Sequence, residues 1–348
     1  MAVGLPLKTT YANGDVYSAS DVNDTNGTIN AYLAPSLGYA AGKNAIINGD
    51  FYINQRGFTS TTTNSVYTFD RWSTDFSGGT VTYSSQTFTP GTAPVSGYEG
   101  KTFLQIVTSG QSGVNDYADI FQRIEEVRTF AGQTVTVSFW AKASSGTPKM
   151  AVAFRQYFGA GGSSDVSTNG GTVTLSTSWA RYTTTVTIPS LTGKTLGTNS
   201  YLNLWLLVSS GSGIGVGQSI GVQNNTFQIW GVQVEEGSTA TAFQTATGTI
   251  QGELAACQRY CYAITAGSNF PARAFNANFL YQGGIPFPVT MRTAPTLRSG
   301  GTFSVNTGSA GTMALDGSAT TSGNIYNSAA NWTTNAAVNY SATFEAEL

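Results

Sequence analysis

Eighteen carboxylates, sixteen basic side chains, two thiols and no histidine bound the chemistry open to this 348-residue chain. Without histidine no Ser-His or Cys-His arrangement can form. Cys257 and Cys261 alone fall short of a zinc site, which needs four ligands or three and a water, and both are expected as packed free thiols. The adjacent acids Glu125-Glu126 and Glu235-Glu236 lie in strand-like stretches. Neighbours on a strand point to opposite faces, so neither pair can flank one glycosidic bond as acid and base. No catalytic residue is expected, and the chain reads as a binding protein, not an enzyme.

Six tryptophans and 17 tyrosines offer different chemistry, because flat rings stack on the C–H faces of sugars. Most are expected in cores, among them Trp72, Trp140 and Trp230. The informative residues stand opposite the apolar side of alternating strands. Arg155 and Tyr157 oppose Val152 and Phe154, and Asn203 and Trp205 oppose Leu202, Leu204 and Leu206. If those strands are neighbours, the four line one face. Gln122, which shares a face with Ile120 and Ile124, completes the candidate glycan-binding set. The same face could instead be covered by loops or by a neighbouring subunit, where aromatics and Arg are enriched.

The elements that would position them follow from a period of two between residues 44 and 244, as in Val135, Val137 and Phe139 or Met150, Val152 and Phe154. Residues 159–171 and 209–221 are nearly all Gly, Ser, Asn and Thr and are expected as exposed loops with no packed element. The expected fold class is all-β: an antiparallel β-sandwich (jelly roll) with a short N-terminal arm and a second, smaller C-terminal β domain. The boundaries are 1–43 for the arm, 44–244 for the jelly roll, 245–256 for a short helical connector and 257–348 for the distal domain. In the arm, Ser20-Asp21-Val22 caps a short helix through Leu33, ended by Pro35. Its stripe of Val22, Ile29 and Leu33, spaced by seven and four, fits a seam used by several copies around one axis.

Charged residues make up 10% of the chain, against roughly 25% on average. With a net charge of −2 there is no electrostatic footprint for nucleic acid. No apolar run approaches a membrane span and the start does not read as a leader, so a soluble, cytosolically made protein without membrane insertion is expected.

Several short motifs carry a resemblance. They are Asn44-x-Ile46-x-Asn48-Gly49-x-Phe51, Gln55-Arg56-Gly57, Asp70-Arg71-Trp72 and Gly231-Val232-Gln233-Val234-Glu235-x-Gly237, with Gln122-Arg123-Ile124-Glu125, Ser138-Phe139-Trp140-Ala141-Lys142-Ala143, Glu253-Leu254-Ala255 and Cys257-Gln258-Arg259-Tyr260 between or after them. Over roughly residues 44 to 262 the chain resembles the jelly-roll, carbohydrate-binding-module-like domain of bacteriophage tail fibres and related virion proteins. The resemblance implies first and last strands that lie side by side, 44–72 against 227–243, and a concave face on which glycans lie. It also implies a structural calcium ion near those strands, for which Asp50, Gln233 and Glu235 are the oxygen donors; no other cofactor is expected. It further implies a homotrimer in the virion, made in the host cytoplasm. On that reading the protein is a tail, neck or head fibre. Its arm would attach to other virion proteins, and its β domains would adhere to host-surface polysaccharide. The alternatives are a capsid or tail decoration protein without receptor binding, and a polysaccharide-degrading tailspike.

Overall fold

Apolar residues at every second position need a second layer to bury them, and here two antiparallel sheets supply it to each other. The computed structural model describes residues 42–95, 97–217, 220–264, 269–271, 273–276, 279–298, 303–305, 313–327 and 337–348. The expected arm helix, with Val22, Ile29 and Leu33, lies outside the described residues. The sandwich strands are β1 (Ser60–Thr61), β2 (Ser73–Ser77), β3 (Thr80–Thr87), β4 (Thr102–Ser109), β5 (Tyr117–Glu125), β6 (Thr134–Ala143), β7 (Lys149–Tyr157), β8 (Val166–Thr174), β9 (Ala180–Thr187), β10 (Tyr201–Ser210) and β11 (Thr226–Glu236). One sheet has the order β1-β3-β4-β11-β6-β9 and the other β2-β5-β10-β7-β8. Val135, Val137 and Phe139 of the first pack with Val152, Phe154, Leu202, Leu204 and Leu206 of the second in one buried core. The antiparallel β-sandwich expected from the alternation is the fold of this chain.

Trp140 and Trp230 are buried, but not between the sheets. They are cross-strand partners on the outer side of the six-stranded sheet, with ring centroids 5.6 Å apart, in a separate cluster with Phe88, Phe103 and Phe243. Trp72 is in the main core, beside Phe51 at 5.1 Å.

The two segments expected as loops are corrected. Residues 166–174 form edge strand β8, paired with β7 through a bulge at the Gly170-Gly171 step. An edge strand leaves one side to water, so Ser, Thr and Asn fill it without an alternating apolar signal. Residues 211–217 do form a loop, yet Val216, with Ile220 just beyond it, packs over Ala151, Ala153 and Leu207.

Residues 44–49 run beside β11 without forming a strand. Ala45 N donates to Val234 O at 2.9 Å and Val232 N to Gly49 O at 2.8 Å, while the Asn44 amide donates to Val232 O and accepts from Val234 N. The approach is so close that a Cβ on Gly49 would stand 2.1 Å from Val232 O, which is why glycine follows Asn48 in the turn.

After β11, helix α1 (Ile250–Gln258) starts at Thr249, whose hydroxyl caps Gly252 N at 3.0 Å. Beyond it come β12 (Cys261–Ile264), β13 (Asn269–Pro271), β14 (Arg273–Asn276), β15 (Phe279–Pro286), β16 (Thr296–Leu297), β17 (Phe303–Val305), β18 (Met313–Ser318), β19 (Ser322–Asn327), β20 (Ala337–Tyr340) and β21 (Ala342–Glu345). They form three small sheets, β12-β21-β16, β13-β20-β17 and β14-β15-β19-β18. This C-terminal unit is bolted to the sandwich by charge. Arg56 donates to Glu345 (3.1 Å) and Glu347 (2.8 Å), Arg71 pairs with Glu347 and lies 3.5 Å over the Tyr260 ring, and Arg259 forks onto Glu125 at 2.8 and 3.0 Å.

Candidate functional site

The register of the five-stranded sheet decides which side chains share its outer face. Asn203 of β10 stands between Arg155 of β7 and Arg123 of β5. One step along, Tyr201 stands between Tyr157 and Glu125, and one step the other way Trp205 stands between Ala153 and Phe121. The sheet therefore brings together Arg155, Tyr157, Asn203 and Trp205 as their alternation predicted. Phe121, Arg123 and Tyr201 join them and were missed: the first two because period two does not give which strands are neighbours, and Tyr201, of the same parity as Asn203 and Trp205, because the alternation was read only from Leu202.

The tyrosines and arginines of the row are held by one another and by their neighbours. The Tyr157 and Tyr201 rings lie 4.7 Å apart at 32°, and the Arg155 guanidinium, 5.8 Å from Tyr157, donates from Nε to Asp165 Oδ2 at 2.6 Å. Arg123 lies over both Tyr201 (4.9 Å) and Phe121 (5.2 Å) and donates to Leu348 O. Trp205 is half-buried, with one end against Ala153, Leu207 and the Val216 and Ile220 side chains. Asn203 is 3% exposed, and its Oδ1 has no hydrogen-bond partner. A buried carbonyl oxygen left unpaired costs about 1–3 kcal/mol unless something donates to it.

The face turns acidic beyond Trp205. Asp75 and Asp119 are cross-strand partners, and Tyr117 donates to Asp75 Oδ1 at 3.0 Å. Asp119 is 3% exposed with Oδ1 unpaired, and burial, reinforced by the Asp75 charge, pushes its carboxyl well above the usual carboxylate range.

Gln122 is corrected. It faces the opposite way, into the sandwich, where Oε1 accepts from Ile47 N at 2.9 Å and Nε2 donates to Ile47 O at 2.8 Å. Its apolar neighbours Ile120 and Ile124 share that inner face, and the amide ties the first segment to β5.

The proposed calcium donors do not converge. Glu235, wholly buried, accepts from Thr241 N, Thr241 Oγ1 and Gln233 Nε2 and pairs with Lys43 at 3.3 Å. Gln233 Oε1 accepts from Gln244 N. Asp50 accepts from the Tyr98 hydroxyl at 2.8 Å in a different surrounding. The Glu235 oxygens and Gln233 Oε1 already accept hydrogen bonds, and the Lys43 ammonium stands where the charge would go. These residues do not fit a calcium site. Among the described residues no cluster of three or more acidic or thiol groups is placed to hold a metal.

No family profile and no curated protein sequence matches the chain. Solved structures do. The enzymatically active domain of tailspike protein 4 of bacteriophage CBA120 is 14% identical with a TM-score of 0.33, over 56% of this chain and 21% of that one. A putative sugar-binding protein from Bacteroides thetaiotaomicron is 12% identical with a TM-score of 0.34, over 56% of this chain and 100% of that one. The CBM22-2 xylan-binding domain of Paenibacillus barcinonensis Xyn10C is 16% identical with a TM-score of 0.31, over 48% and 92%. This chain thus spans about a fifth of the tailspike structure. The fold assignment rests on the strand order above.

Proposed function

We propose that this protein is a non-catalytic glycan-binding component of a phage virion, a tail, neck or head fibre that holds host-surface polysaccharide on the outer face of its five-stranded sheet. The observation that carries the binding site is Asn203: a buried amide oxygen without a partner, beside a half-exposed indole and between two arginines. A sugar hydroxyl would donate to Asn203 Oδ1 while its ring rests on Trp205, and the Tyr157-Tyr201 pair extends the surface for the next unit. The motifs that resemble virion fibres support the setting.

The reading without turnover is supported by the absence of histidine from the sequence, which removes every Ser-His and Cys-His arrangement. A trimer would triple a weak site into an avid one. The test is an array of bacterial polysaccharides probed with wild type and with Trp205→Ala, together with release of reducing ends from whatever binds. Retention by wild type, loss in the variant and no reducing ends are expected. Reducing ends would restore the tailspike reading, and no retention at all would favour a decoration protein.

A further inference from the structure

Far from the sheet face in sequence, a cavity of about 490 Å³ opens between residues 50–53, residues 97–100, residues 243–245 and the start of α1. Of the large apolar side chains that stand exposed among the described residues, two are on its rim: Tyr52 at 37% and Ile250 at 56%. Lys101 Nζ lies 5.2 Å over the Tyr52 ring and steadies it. Inside are the Tyr98 and Phe243 rings, edge-to-face at 5.4 Å, and glycines 97, 100 and 248 complete the lining.

The polar groups divide into those already engaged and those left over. Glu253 is saturated: Asn48 N donates to Oε2 at 2.7 Å, and Thr247 N (2.8 Å) and Thr247 Oγ1 (3.1 Å) donate to Oε1. It anchors the helix and has nothing to offer. Gln244 is 6% exposed, its backbone is fixed by Asn44 and Gln233, yet its Nε2 has no partner. Asp50 Oδ2 accepts from Tyr98, while Oδ1 has only a 3.4 Å contact from Tyr52 N. A spare amide donor and a spare carboxyl oxygen thus share one cavity with a tyrosine ring at its mouth. A vicinal diol, each hydroxyl both donor and acceptor, complements that set.

We propose that this cavity is a second ligand site, separate from the sheet face, which takes one neutral hydroxylated unit such as an uncharged hexose or N-acetylhexosamine. Asp50 and Glu253 repel anions. The Tyr98 hydroxyl already occupies Asp50 Oδ2, which leaves one carboxyl oxygen to accept from a hydroxyl. The volume lies within the range of small-ligand pockets, about 300–1,000 Å³.

The test is saturation-transfer NMR and calorimetry on the full chain. The probes are the methyl glycosides of glucose, galactose and mannose, N-acetylglucosamine, glucuronic acid and glucosamine. The variants are Gln244→Met, Tyr52→Ser and Trp205→Ala. At least one neutral probe should bind wild type and Trp205→Ala alike, and weaken about tenfold or more in Gln244→Met and Tyr52→Ser. Gln244→Met removes an unpaired amide N–H donor and keeps the chain length, so its melting temperature should not fall, and Tyr52 is exposed enough that its variant should fold. Binding lost only in Trp205→Ala would assign the ligand to the sheet face and overturn the second site. Binding unchanged in both cavity variants, binding of charged probes alone, or binding of none would overturn it as well.

Discussion

Asn48 shows how much one side chain can organise. In the left-handed region at φ 58°, it accepts from Ile53 N, donates to Ile53 O and Asp70 O, receives Trp72 Nε1 on its carbonyl and gives its own N–H to Glu253. That is the physical content of the Asn-x-Ile-x-Asn-Gly-x-Phe motif: it joins the first segment, the Asp-Arg-Trp corner and α1. Gly49→Ala would force a methyl into Val232 O and should destabilise by more than the about 1 kcal/mol of an ordinary glycine replacement, read by urea denaturation. A change no larger than that would mean that residues 44–49 do not lie against β11. Asp119 gives a pH signature. Its folded pKa is raised above an unfolded value of about 3.9, so its favourable contribution is present below about pH 4 and is lost as pH rises through the folded pKa. Asp119→Asn should melt higher than wild type at neutral and alkaline pH and converge with it in acid. A variant that melts lower at pH 8 would show that the charged carboxylate is stabilising.

At the scale of elements, the clasp between the first segment and β11 is the closure of the sandwich. Phe51, wholly buried between Phe69 and Trp72, and Val234, wholly buried beside residue 45, should each cost about 2–4 kcal/mol when replaced by Ala, measured by thermal or chemical melting. Unchanged melting in both would remove the clasp. Strands β5, β6, β7 and β10 were legible because one face of each is aliphatic. Strand β8 was not, since both of its faces are largely exposed and Ser, Thr, Asn and Gly fill them without an apolar alternation. Gln122 was legible as a strand residue but not as an inward one. Its amide is satisfied by Ile47, 75 positions away, and no local pattern announces such a partner. Four of the face residues could be grouped by parity, whereas Phe121 and Arg123 required knowing that β5 borders β10.

Across the whole molecule, the conspicuous basic residues of the motifs serve the joint between units. Arg56 and Arg71, both 1% exposed at the side chain, depend on Glu347, and Arg123 and Arg292 reach the backbone of the last residues. Glu347→Ala strands the buried Arg71 guanidinium, while Arg56 keeps Glu345 and Asp70, and should cost about 3–5 kcal/mol, seen by calorimetry as a lower single transition for the whole described body. Two well-separated transitions in wild type would show that the units fold independently. Removing residues after 256 would therefore weaken the sandwich itself, so loss of adsorption in such a truncation would not by itself locate a receptor site.

On the function proposed above, the outer face of the five-stranded sheet binds glycan through Trp205 and Asn203. Calorimetric titration of an array-selected oligosaccharide into wild type, Trp205→Ala and Asn203→Leu tests it directly. The indole should be worth about 2 kcal/mol or more, roughly thirtyfold in Kd, and Asn203→Leu should lose binding while melting no lower than wild type, since its amide oxygen has no partner in the free protein. Undiminished affinity in both variants would contradict the account.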